Sequence, residues 1–149
     1  MLLKKTQYAL YALLNLARNY KKGPVLISII AEEEKLPKKF LEAILADLKT
    51  QGLVNSKKGK GGGYYLIVPP EKIDIASIIR SFDGALGLLP CATINYYESC
   101  SQCKDENKCA LRSVLRELRD QTDHFLKNIS LLDLIEKEKS LEMIESRRS

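Results

Sequence analysis

A chain of 149 residues, 45% hydrophobic, with 24 Lys and Arg against 19 Asp and Glu and a net charge of +5, is long enough for one domain with a real core, alone or with an appendage. None of its apolar runs reaches the roughly 18 to 20 residues that cross a bilayer as a helix, which excludes a helical integral membrane protein. The charge is uneven: residues 1–65 hold 12 Lys and Arg and 5 Asp and Glu, a net of +7, and the remainder holds 12 and 14, a net of −2, so a polyanion partner belongs at the front unless those lysines only solvate a surface.

The opening MLLKKTQYALYALLNLA is amphipathic, with Lys4, Lys5 and Gln7 interposed. It lacks the small-residue cleavage site after an uninterrupted apolar core that marks a secretory signal, so the expected location is cytoplasmic. Leu3, Tyr8, Leu10, Tyr11, Leu13, Leu14, Leu16 and Ala17 repeat with helical period, and Gly23-Pro24 ends that helix. Residues 25–34 read as a short second helix, with Ser28 as a candidate N-cap or early polar position. Pro37 suits the first position of a third helix, which runs to about Thr50 and stops at Gly52. Two short β-type runs, residues 53–56 and 64–68, flank KKGKGGG and form a hairpin with a tip of Lys and Gly alone. A fourth helix covers Ile73–Phe82 and ends at Asp83-Gly84. A long helix starts near Asn107 and carries Leu111, Val114, Leu115, Leu118, Thr122, Phe125, Leu126 and Ile129 at steps of three and four. Ser130 caps a final short helix over 131–138, and the polar tail beyond Lys139 is expected to fray.

The fold class expected is mainly α with a small β-hairpin wing: a winged helix-turn-helix followed by a long C-terminal dimerisation helix. The divisions are a DNA-binding region over 1–70, a connecting helix over 71–90, a cysteine loop over 91–109, the dimerisation and C-terminal helices over 110–139, and a flexible tail over 140–149. On the third helix, Lys38 and Lys39 open the element. Phe40, Leu41, Ile44 and Leu48 anchor it, Phe40 also lying at the DNA-facing end, while Glu42 and Ala43 are placed to face bases. A carboxylate there accepts from a cytosine amino group. At the wing, Lys57, Lys58 and Lys60 sit beside Gly59, Gly61, Gly62 and Gly63. Glycines permit tight turns and close backbone approach, and cationic side chains enter a narrow minor groove. A phosphate-cradling loop is the rival, but the following helix and Lys-Ser/Thr ending of a P-loop are missing.

Four cysteines, Cys91, Cys100, Cys103 and Cys109, lie within nineteen residues, separated by eight, two and five residues, and the chain has no others. In a reducing compartment such a cluster favours metal ligation over disulfides. Thiolates suit zinc, iron and iron–sulfur clusters. A zinc ribbon shows two closely spaced pairs; here there is one, Cys100 and Cys103. His124, the single histidine, stands fifteen residues beyond Cys109, about 22 Å along a helix, and is a poor ligand for this loop. No catalytic constellation is visible, so the chain reads as a non-enzyme without a small-molecule substrate.

These residues carry a resemblance. From MLLKKTQYALYAL through KLPKKFLEAILADLKTQGLVNSKKGKGGGYYL to KCALRSVLRELRD, nearly the whole chain resembles the winged-helix iron–sulfur transcription regulators typified by IscR and NsrR. The resemblance implies a homodimer paired through the long helix, a recognition helix in the major groove of a double-stranded DNA operator, and Lys58 of the wing at the minor groove. It implies a [2Fe–2S] cluster, or [4Fe–4S] in NsrR-like members, held by three cysteines matching Cys91, Cys103 and Cys109 and by one further ligand. The implied role is a repressor of iron–sulfur assembly or redox and nitric-oxide response genes. Two departures leave the fourth ligand open: Arg112 stands where IscR-like proteins carry a ligating histidine, and Gln7 stands where NsrR-like proteins carry a carboxylate. The candidates are the extra Cys100, Gln7 and a nearby carboxylate. A zinc- or thiol-based regulator on the same fold is the first alternative, and a small iron–sulfur electron-transfer protein the second.

Overall fold

Helix α1, Lys4–Arg18, is the axis on which the rest is assembled. Its apolar positions exceed one stripe, so Ala9, Ala12, Leu13 and Leu16 are all buried, and it packs against three later helices. The computed structural model describes residues 2–84 and 86–149; Met1 and Ala85, which fall in the expected DNA-binding and connecting regions, lie outside the described residues.

Helices α2, Ile27–Glu33, and α3, Lys38–Thr50, form the helix-turn-helix. Ile30 seats α2, and Leu41, Ile44, Leu45 and Leu48 seat α3. The turn between them puts Lys35 at φ 54° and lets the Leu36 amide donate to the Ala31 carbonyl at 2.9 Å. Ser28 is not the N-cap of α2; Leu26 is, without a side-chain cap. Pro37 likewise caps α3 from just outside rather than occupying its first turn.

Strands β1, Val54–Lys57, and β2, Gly63–Leu66, pair antiparallel with Val54 opposite Leu66 and Lys57 opposite Gly63. Val25 and Tyr64 exchange backbone hydrogen bonds of 2.7 and 2.8 Å, which docks the wing onto the segment entering α2. Gly63 is required there: its φ is 137°, and a Cβ would stand 2.4 Å from the Val25 carbonyl oxygen.

Helix α4, Ile75–Asp83, is capped by Asp74, whose carboxylate accepts from the Ser77 amide at 2.8 Å. It starts two residues later than Ile73, because Ile73 and Ile75 instead clamp the chain at Ile129 and Leu131. Leu131 donates to the Ile73 carbonyl and Ile75 donates to the Ile129 carbonyl, both at 3.0 Å. Helix α5 runs Ala110–Lys127, preceded by a 3₁₀ turn over Glu106–Lys108, so it begins later than Asn107. Helix α6 runs Leu131–Arg148 from a capping box of Ser130 and Asp133. The short final helix over 131–138 and the frayed tail are thus corrected. No Gly or Pro interrupts the stretch, and its many Glu, Lys and Arg residues are good helix formers. The result is the winged helix-turn-helix with a long helix behind it.

Candidate functional site

The first candidate surface is α3 with the wing. The buried positions of α3 turn Lys38, Lys39, Glu42 and Ala43 to solvent. Phe40 departs from its expected role as an anchor. It is 63% exposed, because it stands a quarter-turn from Leu41, on the flank toward α1 rather than on the core face. Its ring meets Tyr8 edge-on, with centroids 6.5 Å apart. Lys57, Lys58, Lys60 and Gly61 are exposed at the hairpin tip. Gly62 is buried, and a Cβ on it would lie 2.2 Å from the Lys57 carbonyl oxygen, so it shapes the turn. Among the described residues none of these five lysines is ion-paired. Their charge is therefore uncompensated locally, as a polyanion site requires. A contact that periodicity does not show fixes α3 against the wing: Lys49 Nζ donates to Ser56 Oγ at 2.8 Å.

The second is the cysteine loop. All four thiols are free; Cys91 is buried and Cys100, Cys103 and Cys109 are half-buried. Cys109 is the N-cap of α5, its Sγ accepting the Arg112 amide at 3.4 Å. The Cys103 amide donates to the Cys100 carbonyl at 3.3 Å. Desolvation pushes the Cys103 thiol up from its ordinary pKa; Cys109 and Cys100 add to this, against a hydrogen bond from the Asp105 backbone. Like any thiol, it must lose its proton to ligate a metal. Among the described residues, no three Cys, His, Asp or Glu side chains converge as a ready-made metal site. The donor set still fits iron or an iron–sulfur cluster by its chemistry, with several thiols on one loop beginning at Cys91 and ending at a helix N-terminus. His124 is exposed on α5, far along it from the loop.

The side chains that hold this loop are ones spacing does not identify. Arg119 donates to the Ala92 carbonyl at 2.8 Å. Arg112 Nε donates to the Cys91 carbonyl at 2.9 Å. Glu106 accepts from the Cys100 amide at 3.3 Å and from the Tyr97 hydroxyl. That hydroxyl, ahead of the other contacts, draws the Glu106 carboxyl below its usual range, and Glu106 raises Tyr97 in return. The one sequence signal was an arginine three residues beyond the last cysteine.

Behind the loop, α5 has two unlike sides. Arg80 and Lys127 bracket the buried Asp123 on one. On the other, Leu111, Val114, Leu118 and Phe125 are 60, 61, 45 and 65% exposed. Ile129, expected to extend that stripe, falls on the α5–α6 turn and packs on the core instead. No helix among the described residues is long and apolar enough to cross a membrane.

Comparison with known proteins agrees with this anatomy. The profile of the Rrf2 family, described as iron-dependent transcriptional regulators, matches residues 2–137. An rrf2-like HTH-type transcriptional regulator of Rhodobacter capsulatus is 40% identical over 121 residues, 79% of this chain and 81% of that protein. Among solved structures, IscR of T. potens superposes with a TM-score of 0.73 at 28% identity, covering 93% of this chain and 88% of that one. CymR, the global cysteine regulator of B. subtilis, gives the same TM-score and identity, covering 90% and 95%.

Proposed function

The chain belongs to the Rrf2 family of iron-dependent transcriptional regulators, and from that premise we propose that it is a cytoplasmic, homodimeric repressor whose DNA affinity is set by an iron–sulfur cluster on the cysteine loop. It is a DNA-binding regulator and not an enzyme. Its operator is double-stranded DNA. Lys38, Lys39, Glu42 and Ala43 of α3 enter the major groove, with Phe40 at their edge. Lys57, Lys58 and Lys60 reach the minor groove, and Gly61 and Gly62 let the wing backbone approach. The Leu111, Val114, Leu118 and Phe125 stripe seats the same stripe of a second copy in an isologous interface.

The observation that carries the reading is the loop's attachment: Cys91 and Cys109 lie at its two ends, and both are held by one residue of α5, Arg112. Cys91, Cys103 and Cys109 would hold the cluster, with Cys100 as the fourth thiolate, and the form is [2Fe–2S] rather than [4Fe–4S] or zinc. When bound, the cluster supplies a reversible one-electron change and lability to oxidants. The chain does the rest. Any movement of the loop bears on the N-terminus of α5, α5 packs on α4, and α4 packs on α1 beneath α3. A two-fold pair of recognition helices at altered spacing meets its half-sites differently.

A second reading has its own support. The likeness to a cysteine regulator and the four free thiols on one loop favour a thiol-based sensor on the same fold. Anaerobic purification separates the two. A brown protein with iron and sulfide, whose operator affinity changes on cluster removal, supports the cluster. A colourless protein whose affinity changes with a thiol oxidant supports the second reading. Cys100→Ala then tests the fourth ligand: an unaltered visible spectrum and cluster lifetime would remove Cys100 from the site.

A further inference from the structure

The cysteine loop is closed by one ion pair. Arg112 lies a single turn into α5, and its side chain is only 16% exposed. Its Nε donates to the carbonyl of Cys91, 21 residues earlier, at 2.9 Å. Its Nη2 stands 3.8 Å from Glu106 Oε2. That carboxylate reaches onward through Oε1 to the Cys100 amide and through Oε2 to the Tyr97 hydroxyl. The Arg112 amide meets Cys109 Sγ. One guanidinium and one carboxylate thus touch the loop at Cys91, at Cys100 and at Tyr97, and the Arg112 backbone amide adds the contact to Cys109. A planar fork is needed, since the same group faces a carbonyl and a carboxylate in two directions; a lysine offers a point charge and cannot reproduce it.

We infer that Arg112, with Glu106, is a positioning residue of the cluster site: it sets the loop before loading and keeps a fixed positive charge beside the bound thiolates. The inference rests on the cluster reading above. Arg112 is not a ligand. Its side chain acts through the Cys91 carbonyl and Glu106, while the hydrogen bond to the Cys109 sulfur comes from its backbone amide and is common to every variant. Hydrogen bonds to sulfur and nearby charge are the levers by which a protein tunes a cluster's reduction potential. A cation stabilises the negative charge that builds up on reduction, so its removal lowers the potential.

Charge and fork separate in three variants, Arg112→Gln, Arg112→Lys and Glu106→Gln. Each is reconstituted anaerobically with ferrous iron and sulfide. Iron and sulfide per chain, visible circular dichroism, reduction potential and the half-life of the visible band in air are read. Arg112→Gln is expected to give a lower potential, altered visible dichroism and bleaching about tenfold faster, the size of a lost charge-assisted hydrogen bond. Arg112→Lys keeps the potential near the wild-type value but shares the altered dichroism and faster bleaching. Glu106→Gln removes a negative charge and raises the potential. A role confined to loop folding would lower the loaded fraction and leave the potential of that fraction unchanged, which overturns the inference. So does an Arg112→Gln protein loaded with wild-type potential and dichroism. Should Arg112→Gln fail to fold by far-ultraviolet dichroism, the lysine and Glu106 variants decide by the same criteria. Wild-type protein that stays colourless overturns the cluster reading itself, and this inference with it.

Discussion

The DNA-binding half and the cysteine loop are held by different forces. In the first, α1, α3 and the wing are positioned by side chains with almost no exposure, among them Leu13, Leu41, Leu45, Leu48 and Val54. Burial there is non-directional and distributed over many contacts, so it makes a rigid platform. In the loop, only Cys91, Ala92 and Thr93 are buried among residues 86–109. Two arginines of α5 and one carboxylate hold the segment through hydrogen bonds to its backbone. Such bonds are directional and few, and each can be broken singly. A platform that must present a fixed surface to DNA is built the first way. A loop held the second way belongs to the less stable end of the structure, which suits the sensing role proposed for it.

The contrast can be broken from either side, and the largest effect belongs to the packed half. Leu45→Ala, at a fully buried site, is expected to cost about 2–5 kcal/mol of unfolding free energy in urea. Cluster uptake per folded molecule should not change; if it does, the two regions are not separable. On α5, Leu118→Glu is expected to weaken self-association roughly a hundredfold. Two leucines leave a two-fold interface, at about 1.5 kcal/mol or more each. Sedimentation at micromolar concentration reads this, and an unchanged mass would move the interface elsewhere. In the loop, Arg119→Gln should cost about 1–3 kcal/mol, because the Ala92 carbonyl loses a charged donor in a buried place. Its sharper signature is chemical: Cys91, now shielded, should react faster with a thiol reagent in cluster-free protein, while the unfolding transition stays cooperative. The smallest effect is at the wing. Lys58→Ala should leave stability unaltered and reduce the slope of log affinity against log salt by about 1.8, one phosphate contact in each protomer of the dimer. An unchanged slope removes Lys58 from the interface.

Much of the platform was legible in the amino-acid order. Helical period announced α1, α3 and α4, Gly52 and Gly84 marked ends, and KKGKGGG between two β-type runs announced the wing, because these are local events governed by 3.6- and 2-residue periods and by glycine's freedom at positive φ. The cysteine spacing marked the loop as the second candidate site in the same local way. What the order left undecided depended on which face met what. Phe40 and Leu41 are adjacent apolar residues, yet Leu41 is core while Phe40, a quarter-turn away, meets only the edge of Tyr8 and stays largely exposed. The apolar positions of α5 divide into a half-buried row, Leu115 and Leu126, and an exposed row, Leu111, Val114, Leu118 and Phe125, that a one-dimensional pattern merges. Helix α6 outran its expected end because nothing in it stops a helix. The arrangement of Tyr97, Glu106 and Arg112 around Cys91 and Cys100 was decided by tertiary structure alone: its members are separated along the chain, and only the docking of α5 against the loop brings a guanidinium and a carboxylate within reach of the same backbone.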